Sequence, residues 1–294
     1  ALALLFEQAS SRGHLQDTDY GTISFPFTIR NQFTSSMATV KAAVENKARL
    51  REYQQDFFKS ALSEKLKSGL AGYRFGAEAD PNRTRAFIDL LLKHEIKVYR
   101  DGEKFVAPLK QPQRRMVQTI FETYNKYRDS VFYDASAWSV ANFYNMDYKG
   151  VKRMERGEQI TNVKDLFPVS PVSKSDYAYL MEWSDYNAPA ALYFMQKEGL
   201  KAATAFKPFT ANTIKGEKEF GYGSILIPVS RQDKTSDSVF EIIKKAQEKF
   251  RLPVHAVNSG YSVKGIDLGS GNFKALEKPK PMLLIGDGVN SYEA

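Results

Sequence analysis

The apolar positions of this chain follow different periods in different stretches, and these periods predict its strands and helices. The chain opens with the uninterrupted apolar run Ala3–Phe6, which is typical of a buried strand. This strand is predicted to end at the carboxylate of Glu7, and an open α/β sheet builds its sites at strand ends. Residues 22–28 alternate loosely around Pro26 and predict an edge or irregular strand, because proline cannot donate to a strand ladder.

A long amphipathic helix is predicted after this second strand. Val40 and Val44 lie one helical turn apart, and the same face continues farther along the chain. Thr34 begins a Thr-Ser-Ser stretch that offers an N-cap, and Gly69 is placed to end the helix. We therefore predict that this helix closes the first domain.

Strand-like and helix-like stretches alternate through the rest of the chain. Their order, strand–helix–strand–strand–helix–strand, predicts an α/β fold with an open, mostly parallel sheet and helices on its faces. The polar, proline-containing stretch at residues 154–174 predicts a linker or a long loop. Three domains are therefore predicted, at residues 1–68, 69–170 and 171–294. The predicted strands lie at residues 73–75, 96–99, 104–109, 177–183, 201–206, 223–229, 254–258 and 282–285, and the predicted helices begin at Pro81, Gln113, Pro189 and Ser236.

Composition and charge narrow the functional classes. The 294 residues carry a net charge of +8, but cations and acids are interspersed, as in residues 149–158. Mixed charge is typical of a solvated face, so nucleic-acid binding is not favoured. No apolar segment is long enough to span a bilayer. The apolar run at residues 1–6 lacks the features of a signal peptide and is interpreted as a strand entered midway, so we expect the chain to be a fragment of a longer protein.

The residue inventory also limits the chemistry that the chain can perform alone. It contains no cysteine, which excludes disulfides, thiolate metal sites and cysteine nucleophiles. It contains three histidines, His14, His94 and His255, and they are far apart in sequence. A catalytic zinc needs three protein ligands, and no His-x-x-Glu pair occurs. We therefore expect no zinc and no peptide cleavage from the isolated chain.

Several motifs together resemble the M14 family of zinc carboxypeptidases, especially large bacterial members with further domains after the peptidase domain. The resemblance begins with Phe-Glu-Gln-Ala-Ser-Ser-Arg-Gly at residues 6–13, the aromatic-proline segment at residues 22–32 and the amphipathic helix. Its peptidase part covers only about the first sixty residues. The last residues, 282–294, resemble the start of a domain similar to class I glutamine amidotransferases, whose glutaminase chemistry needs a cysteine. Downstream motifs continue the resemblance at residues 105–113, 133–138 and 220–228.

The resemblance implies the closing strand and helix of a carboxypeptidase-like sheet, followed by α/β accessory units. Glu7 then aligns with the family's general acid/base, which takes a proton from zinc-bound water and returns it to the leaving amine. The family's zinc ligands and its substrate-carboxylate clamp precede this glutamate, so Arg30–Asn31 is not carried over as that clamp. The parent protein is expected to need zinc, to act on a peptide or protein substrate and to be secreted or periplasmic.

Alternatives remain open for individual residues and for the whole chain. Glu7 also fits a core strand that simply ends in a solvated carboxylate. Arg12, the nearest cation, either contacts substrate or is a solvated loop arginine. The aromatic side chains of Trp138, Phe143 and Tyr144 either line a pocket or fill a satellite core. The whole chain could instead be a non-catalytic binding or structural module of an exported protein, which docks a partner, a glycan or the missing peptidase body.

Overall fold

The structure is a computed structural model that describes residues 3–8, 11, 13–63, 69–77, 79–123 and 139–286. A short hairpin comes first, followed by two consecutive helices that run from residue 25 to residue 63. The chain then forms two α/β units, each built on a five-stranded sheet. No helix in the described ranges is long and apolar enough to cross a membrane.

The N-terminal segment differs from its prediction at three places. Residues 3–8 contain no strand, so the strand predicted at Ala3–Phe6 is wrong. The first helix begins ten residues earlier than predicted, because Ser24 and not Thr34 caps it: the Ser24 side chain accepts a hydrogen bond from the Phe27 backbone amide (3.4 Å), and Pro26 occupies the first turn. The helix is also interrupted at Asn46. The elements are β1 (Leu15–Thr18), β2 (Gly21–Ser24), α1 (Phe25–Glu45) and α2 (Lys47–Ser63).

The first unit is a five-stranded antiparallel sheet with its helices packed around an aromatic core. Its strand order is β6-β3-β5-β4-β7. The dipeptide Asp101-Gly102 in the sequence predicts a tight hairpin turn, and the structure confirms it: Gly102, at φ 62°, lies in the turn between β4 and β5. The elements are β3 (Gly72–Phe75), α3 (Pro81–Lys93), β4 (Val98–Asp101), β5 (Lys104–Pro108), α4 (Arg114–Phe121), α5 (Val140–Phe143), β6 (Tyr148–Val151) and β7 (Gln159–Ile160).

The second unit repeats this plan and adds a small second sheet. Its five-stranded sheet has the order β13-β8-β12-β9-β15, and a three-stranded sheet has the order β11-β10-β14. The elements are β8 (Ala178–Met181), α6 (Ala188–Lys197), β9 (Ala202–Ala205), β10 (Phe209–Thr213), β11 (Gly216–Phe220), β12 (Ile225–Pro228), α7 (Ser236–Phe250), β13 (His255–Val257), β14 (Ser262–Gly265) and β15 (Phe273–Leu276), with a 3₁₀ turn at Val229–Arg231.

The two units share one topology. Each follows the order β-α-β-β-α-β, and in each the fourth and third of these strands flank the first, giving the spatial order 4-1-3-2 of the ferredoxin-like split βαβ arrangement. A fifth strand, β7 or β15, pairs beside the second strand of each unit. The chain therefore contains an internal structural repeat, although the two copies differ in their insertions.

The fold class is mixed α/β as predicted, but the prediction of a mostly parallel sheet is wrong. Every pairing among the described strands is antiparallel. The physical reason is strand insertion: α3 connects β3 to β4, but β5 lies between them and runs the opposite way. A strand–helix–strand order therefore does not require that the connected strands be neighbours.

Other predicted elements had mixed outcomes. The helices predicted from Pro81 and Ser236 are confirmed, and the helix predicted from Pro189 begins one residue earlier. Ser238 and Glu241 have the spacing that predicts a capping box, but the structure shows Thr235 capping α7, with its side chain accepting from the Ser238 backbone amide. The strand predicted at residues 282–285 is absent from the described residues 281–286. The two boundaries between the three predicted domains remain predictions.

The core of the first unit bears on whether the aromatic side chains near residue 140 line a pocket or fill a core. Phe75, Phe87, Phe105 and Phe121 are completely buried, and their rings contact one another at centroid distances of 5.2–6.1 Å. Tyr144 packs against this cluster, at 5.3 Å from the Phe87 ring. The core interpretation therefore holds for Tyr144, whereas Phe143 is exposed and Trp138 lies outside the described residues.

Candidate functional site

Glu7, the predicted general acid/base, lies beside an apolar groove on the first two helices. Leu4 and Phe6 line this groove, which has a volume of about 970 Å³ and runs along α1 and α2. Glu7 is exposed and does not line it. The side chain of Gln8 donates a hydrogen bond to the Ser35 hydroxyl (2.7 Å), which attaches this stretch to α1. Arg12, the other predicted site residue, lies outside the described residues.

The surroundings of Glu7 do not form a metal centre. Among the described residues, no group of three or more histidine, cysteine, aspartate or glutamate side chains could hold a metal ion. His14 and His94 are exposed on separate elements, and His255 belongs to the second unit. Zinc would therefore need ligands from outside the described part of the chain.

The first two helices have no core of their own. Of the described residues between 3 and 63, only Ser11, Thr28 and Ala61 are buried. The apolar side chains of both helices are instead exposed, and we refer to them as the α1–α2 surface. Its members are Phe25, Phe27, Ile29, Phe33, Met37, Val40, Val44, Tyr53, Phe58 and Leu62. Exposed apolar side chains grouped in this way are a candidate interaction surface.

The end of α2 is attached to the first unit by two arginines from α4. Arg114 donates to the backbone carbonyl of Ser60 (2.9 Å), and Arg115 donates to that of Phe57 (2.7 Å). The Arg115 guanidinium also stacks over the Phe57 ring, 4.2 Å from its centroid. These contacts fix the orientation of α2 on the first unit while leaving the α1–α2 surface open.

A second candidate site is a cleft of about 330 Å³ where the two βαββαβ units meet. We refer to it as the inter-unit cleft. The start of α3 forms one side, and the ends of β8 and α7 with the start of β13 form the other. The polypeptide that connects the units, residues 167–170, lines it as well. The junction of two domains is a common position for a ligand site.

A hydrogen-bond network centred on Asn82 holds the two sides of the inter-unit cleft together. The buried Asn82 amide donates to both carboxylate oxygens of Asp185 (3.0 and 2.8 Å) and to the carbonyl of Arg251 (2.9 Å). The Asp185 carboxylate also accepts from the backbone amide of Asn187 (2.8 Å). Burial raises the pKa of Asp185, and the hydrogen bonds from Asn187 and Asn82 oppose that shift.

Arg85 extends this network toward the connecting segment. Its guanidinium donates to the Asn82 side chain and to the carbonyls of Leu166 and Phe167, the last at 2.9 Å. Burial lowers the pKa of Arg85, and the nearby positive charge of Arg251 acts in the same direction. The Tyr144 and Tyr186 rings also stack across the units at 6.1 Å.

His255 is the most strongly perturbed group of the cleft. Burial first, and then the charge of Lys218, lower the pKa of His255 to about 4, so its imidazole is neutral at pH 7. Its Nε2 atom is buried and has no hydrogen-bond partner among the residues that the structure describes. The ring packs edge-on against Phe220 at 5.6 Å. Lys218 itself pairs with Glu182 (2.9 Å).

The inter-unit cleft was not predicted from sequence. Its polar residues come from positions that are far apart in the chain, such as Asn82 and Asp185, 103 residues apart. The only local signal was the Asp-x-Asn turn before α6, which is typical of a helix start rather than of a site. The cleft exists only because the two units dock against each other.

Comparisons with known proteins found no matching family model, no matching curated protein and no matching solved structure.

Proposed function

We propose that this chain is the C-terminal part of an M14-like zinc metallocarboxypeptidase and that Glu7 is its general acid/base. In this proposal the zinc ligands and the substrate-carboxylate clamp belong to the preceding part of the peptidase domain. The two βαββαβ units are accessory. The parent protein acts on peptides or proteins and is secreted or periplasmic, as the resemblance of its motifs implies.

The α1–α2 surface is the observation that supports this proposal most directly. It exposes ten large apolar side chains on helices that bury almost nothing themselves. Burying such side chains stabilises a fold by about 1.5–3 kcal/mol each. A peptidase body that covers this surface would complete a core, and it would also place a metal site beside Glu7.

The role proposed for Glu7 follows from the needs of metal-assisted hydrolysis. A carboxylate next to zinc-bound water accepts its proton as the water attacks, and then donates that proton to the leaving amine. Glu7 is exposed in this chain, so it is accessible to groups from another part of the protein. In the parent protein, zinc would be held by residues outside the described part of this chain and would supply the Lewis acid, and Glu7 would accept and return the proton.

The test is the parent protein with Glu7→Gln, measured for zinc content and for release of C-terminal residues from peptides. We expect full zinc occupancy and a loss of turnover of about 10²–10⁴-fold, the usual contribution of a general acid/base. Glu198→Gln, at an exposed position at the end of α6, is the matched control and should leave turnover unchanged. A parent without zinc, or with unchanged turnover after Glu7→Gln, would overturn the proposal.

The proposed burial of the α1–α2 surface has its own test on the chain itself. Residues 1–294 should be less soluble and more self-associated than residues 69–294, measured by sedimentation velocity over a range of concentrations. Equal solubility, with cooperative melting of both, would contradict it.

The inter-unit cleft favours a second candidate function, a non-catalytic binding module. In that case Glu7 has no metal partner in the parent either. The sequence encoded upstream of residue 1 separates the two candidates, because only the peptidase requires a His-x-x-Glu pair and a later histidine.

A further inference from the structure

We propose that the inter-unit cleft binds a small organic anion, with a carboxylate or phosphate group held by Arg251 and Lys215. This site is separate from Glu7 and from the α1–α2 surface. The inference goes beyond the proposed peptidase role and holds whether or not that role is correct.

The size and walls of the cleft suit a small organic molecule. Its volume of about 330 Å³ is at the lower end of the range that ligand pockets occupy. Much of its lining is apolar and stiff, because it includes Pro81, Pro168 and Pro253 together with Phe167. Such walls favour a ligand with an apolar body, not a bare inorganic ion.

The cleft carries two cations, Arg251 and Lys215, against one carboxylate that has no ion pair among the described residues, Asp185. Both acidic side chains are occupied, because Asp185 accepts from Asn82 and Asn187, and Glu182 pairs with Lys218. The Arg251 guanidinium, by contrast, makes no hydrogen bond or ion pair within the described part of the chain. The Lys215 ammonium donates only to the carbonyl of Pro171 (3.0 Å) among those residues. A guanidinium and an ammonium lining one cleft favour an anionic partner.

The backbone of Arg251 is held by hydrogen bonds to both units. Arg251 is the C-cap of α7 and adopts the left-handed conformation (φ 52°) with which helices commonly end. Its backbone amide donates to the backbone carbonyl of Gln247 (2.7 Å), and its carbonyl accepts from the side-chain amide of Asn82 (2.9 Å). Arg251 is therefore positioned by both units, so its cationic site depends on their docking.

His255 supplies a directional polar contact in the same cleft. Its buried Nε2 atom has no partner among the described residues, and a buried polar atom of this kind calls for an explanation. A polar group of a bound ligand would satisfy it once the imidazole ring turns this atom toward the cleft. The anionic end of the ligand would then contact the two cations, while a neutral polar group contacts the imidazole.

The experiment is isothermal titration of residues 1–294 with two series of probes: benzoate and succinate as carboxylates, and phenyl phosphate and inorganic phosphate as phosphates. We expect saturable one-to-one binding of at least one organic anion, with inorganic phosphate weaker. The series that binds more tightly identifies the head group.

Variants connect that binding to the cleft. Arg251→Asn keeps a residue that tolerates the left-handed backbone, and should weaken binding by about tenfold or more, as expected for loss of a charged hydrogen bond. Lys215→Gln should weaken it several-fold. Lys244→Gln, an exposed charge on α7, is the matched control and should change nothing.

A second measurement distinguishes lost binding from lost structure. The imidazole resonances of His255 should shift on addition of the organic anion in the unaltered chain, and the shift should be lost with Arg251→Asn while the unfolding midpoint is retained. Absence of saturable binding by every probe would overturn the proposal, as would binding that Arg251→Asn leaves unchanged.

Discussion

The segment up to residue 63 and the two βαββαβ units use similar sequence patterns but differ in what they bury. α1 and α2 carry aromatic and aliphatic side chains at helical spacing, yet Phe33 is 65% exposed and Val44 is 70% exposed. In the first unit α3 has the same kind of pattern, and Phe87, Ile88 and Leu91 are completely buried. The difference is whether a sheet lies against the apolar face.

This comparison shows what an amphipathic pattern does and does not determine. The pattern specifies that a helix has one face to bury, because period and side-chain type are local properties. It does not specify the element that covers that face, which depends on packing between distant parts of the chain. The α1–α2 surface therefore indicates a partner element that the described chain does not supply, whereas the buried cores define the fold.

The largest effect that we expect is a difference in the free energy of unfolding between two variants, each of which truncates one phenylalanine to alanine. Phe87→Ala should lower the free energy of unfolding by about 3–5 kcal/mol, because it removes a ring that contacts Phe75, Phe121 and Tyr144 and leaves a cavity. Phe33→Ala should change it by less than about 0.5 kcal/mol, since the ring is largely solvated. Urea unfolding of both variants measures the difference.

A substantial loss of stability from Phe33→Ala would break the comparison. It would mean that the α1–α2 surface is already covered in residues 1–294, for example by a second copy of the chain. Repeating the titration at several protein concentrations separates that case, because stabilisation by self-association depends on concentration.

The second effect is the dependence of stability on pH that His255 gives to the second unit. The pKa of His255 is lowered to about 4 in the folded chain, by burial and by Lys218 and Lys215, with Glu182 opposing. In the unfolded chain a histidine titrates near 6.5. Above that value neither state is protonated, so His255 adds no pH dependence. Between pH 6.5 and 4 only the unfolded state takes up the proton, and stability falls by up to about 3 kcal/mol.

His255→Gln should therefore flatten the decline in unfolding free energy between pH 6.5 and 4, measured by urea titrations at half-unit intervals. His94→Gln, at an exposed position of the first unit, is the matched control and should leave the decline unchanged. If the decline persists after His255→Gln, the carboxylates and not His255 are its source.

The local elements of this fold were predictable, and the arrangement of those elements was not. The Asp80-Pro81 start of α3 and the turn at Gly102 depend on neighbouring residues alone, and both were found. The hairpin of β10 and β11 was missed because its strands mix polar and apolar residues and are stabilised by pairing with β14. Sheet direction was missed because strand insertion depends on contacts across the whole unit.

The same reasoning explains the outcome at the candidate sites. The interest of Glu7 came from a motif, and the structure shows its side chain exposed and outside the groove that Leu4 and Phe6 line. The inter-unit cleft has no motif, because Asn82, Asp185 and Arg251 meet only after both units have folded and docked. A chemical site that arises between units leaves little trace in any one stretch of sequence.

The smallest of these effects tests whether the two units behave as one body, in contrast to the N-terminal helices. Asn82→Ala removes three hydrogen bonds that cross from α3 to the second unit and leaves the partly buried Asp185 carboxylate with fewer donors. We expect a loss of about 2 kcal/mol, typical of a buried polar group deprived of its partner. Asp185→Ala alone should cost a similar amount, and the double variant should cost less than the sum of the two, because the residues share one interaction. Additive losses would mean that Asn82 and Asp185 act independently. In that case the units would be joined mainly by the Tyr144–Tyr186 stack and the connecting segment, and not by this network.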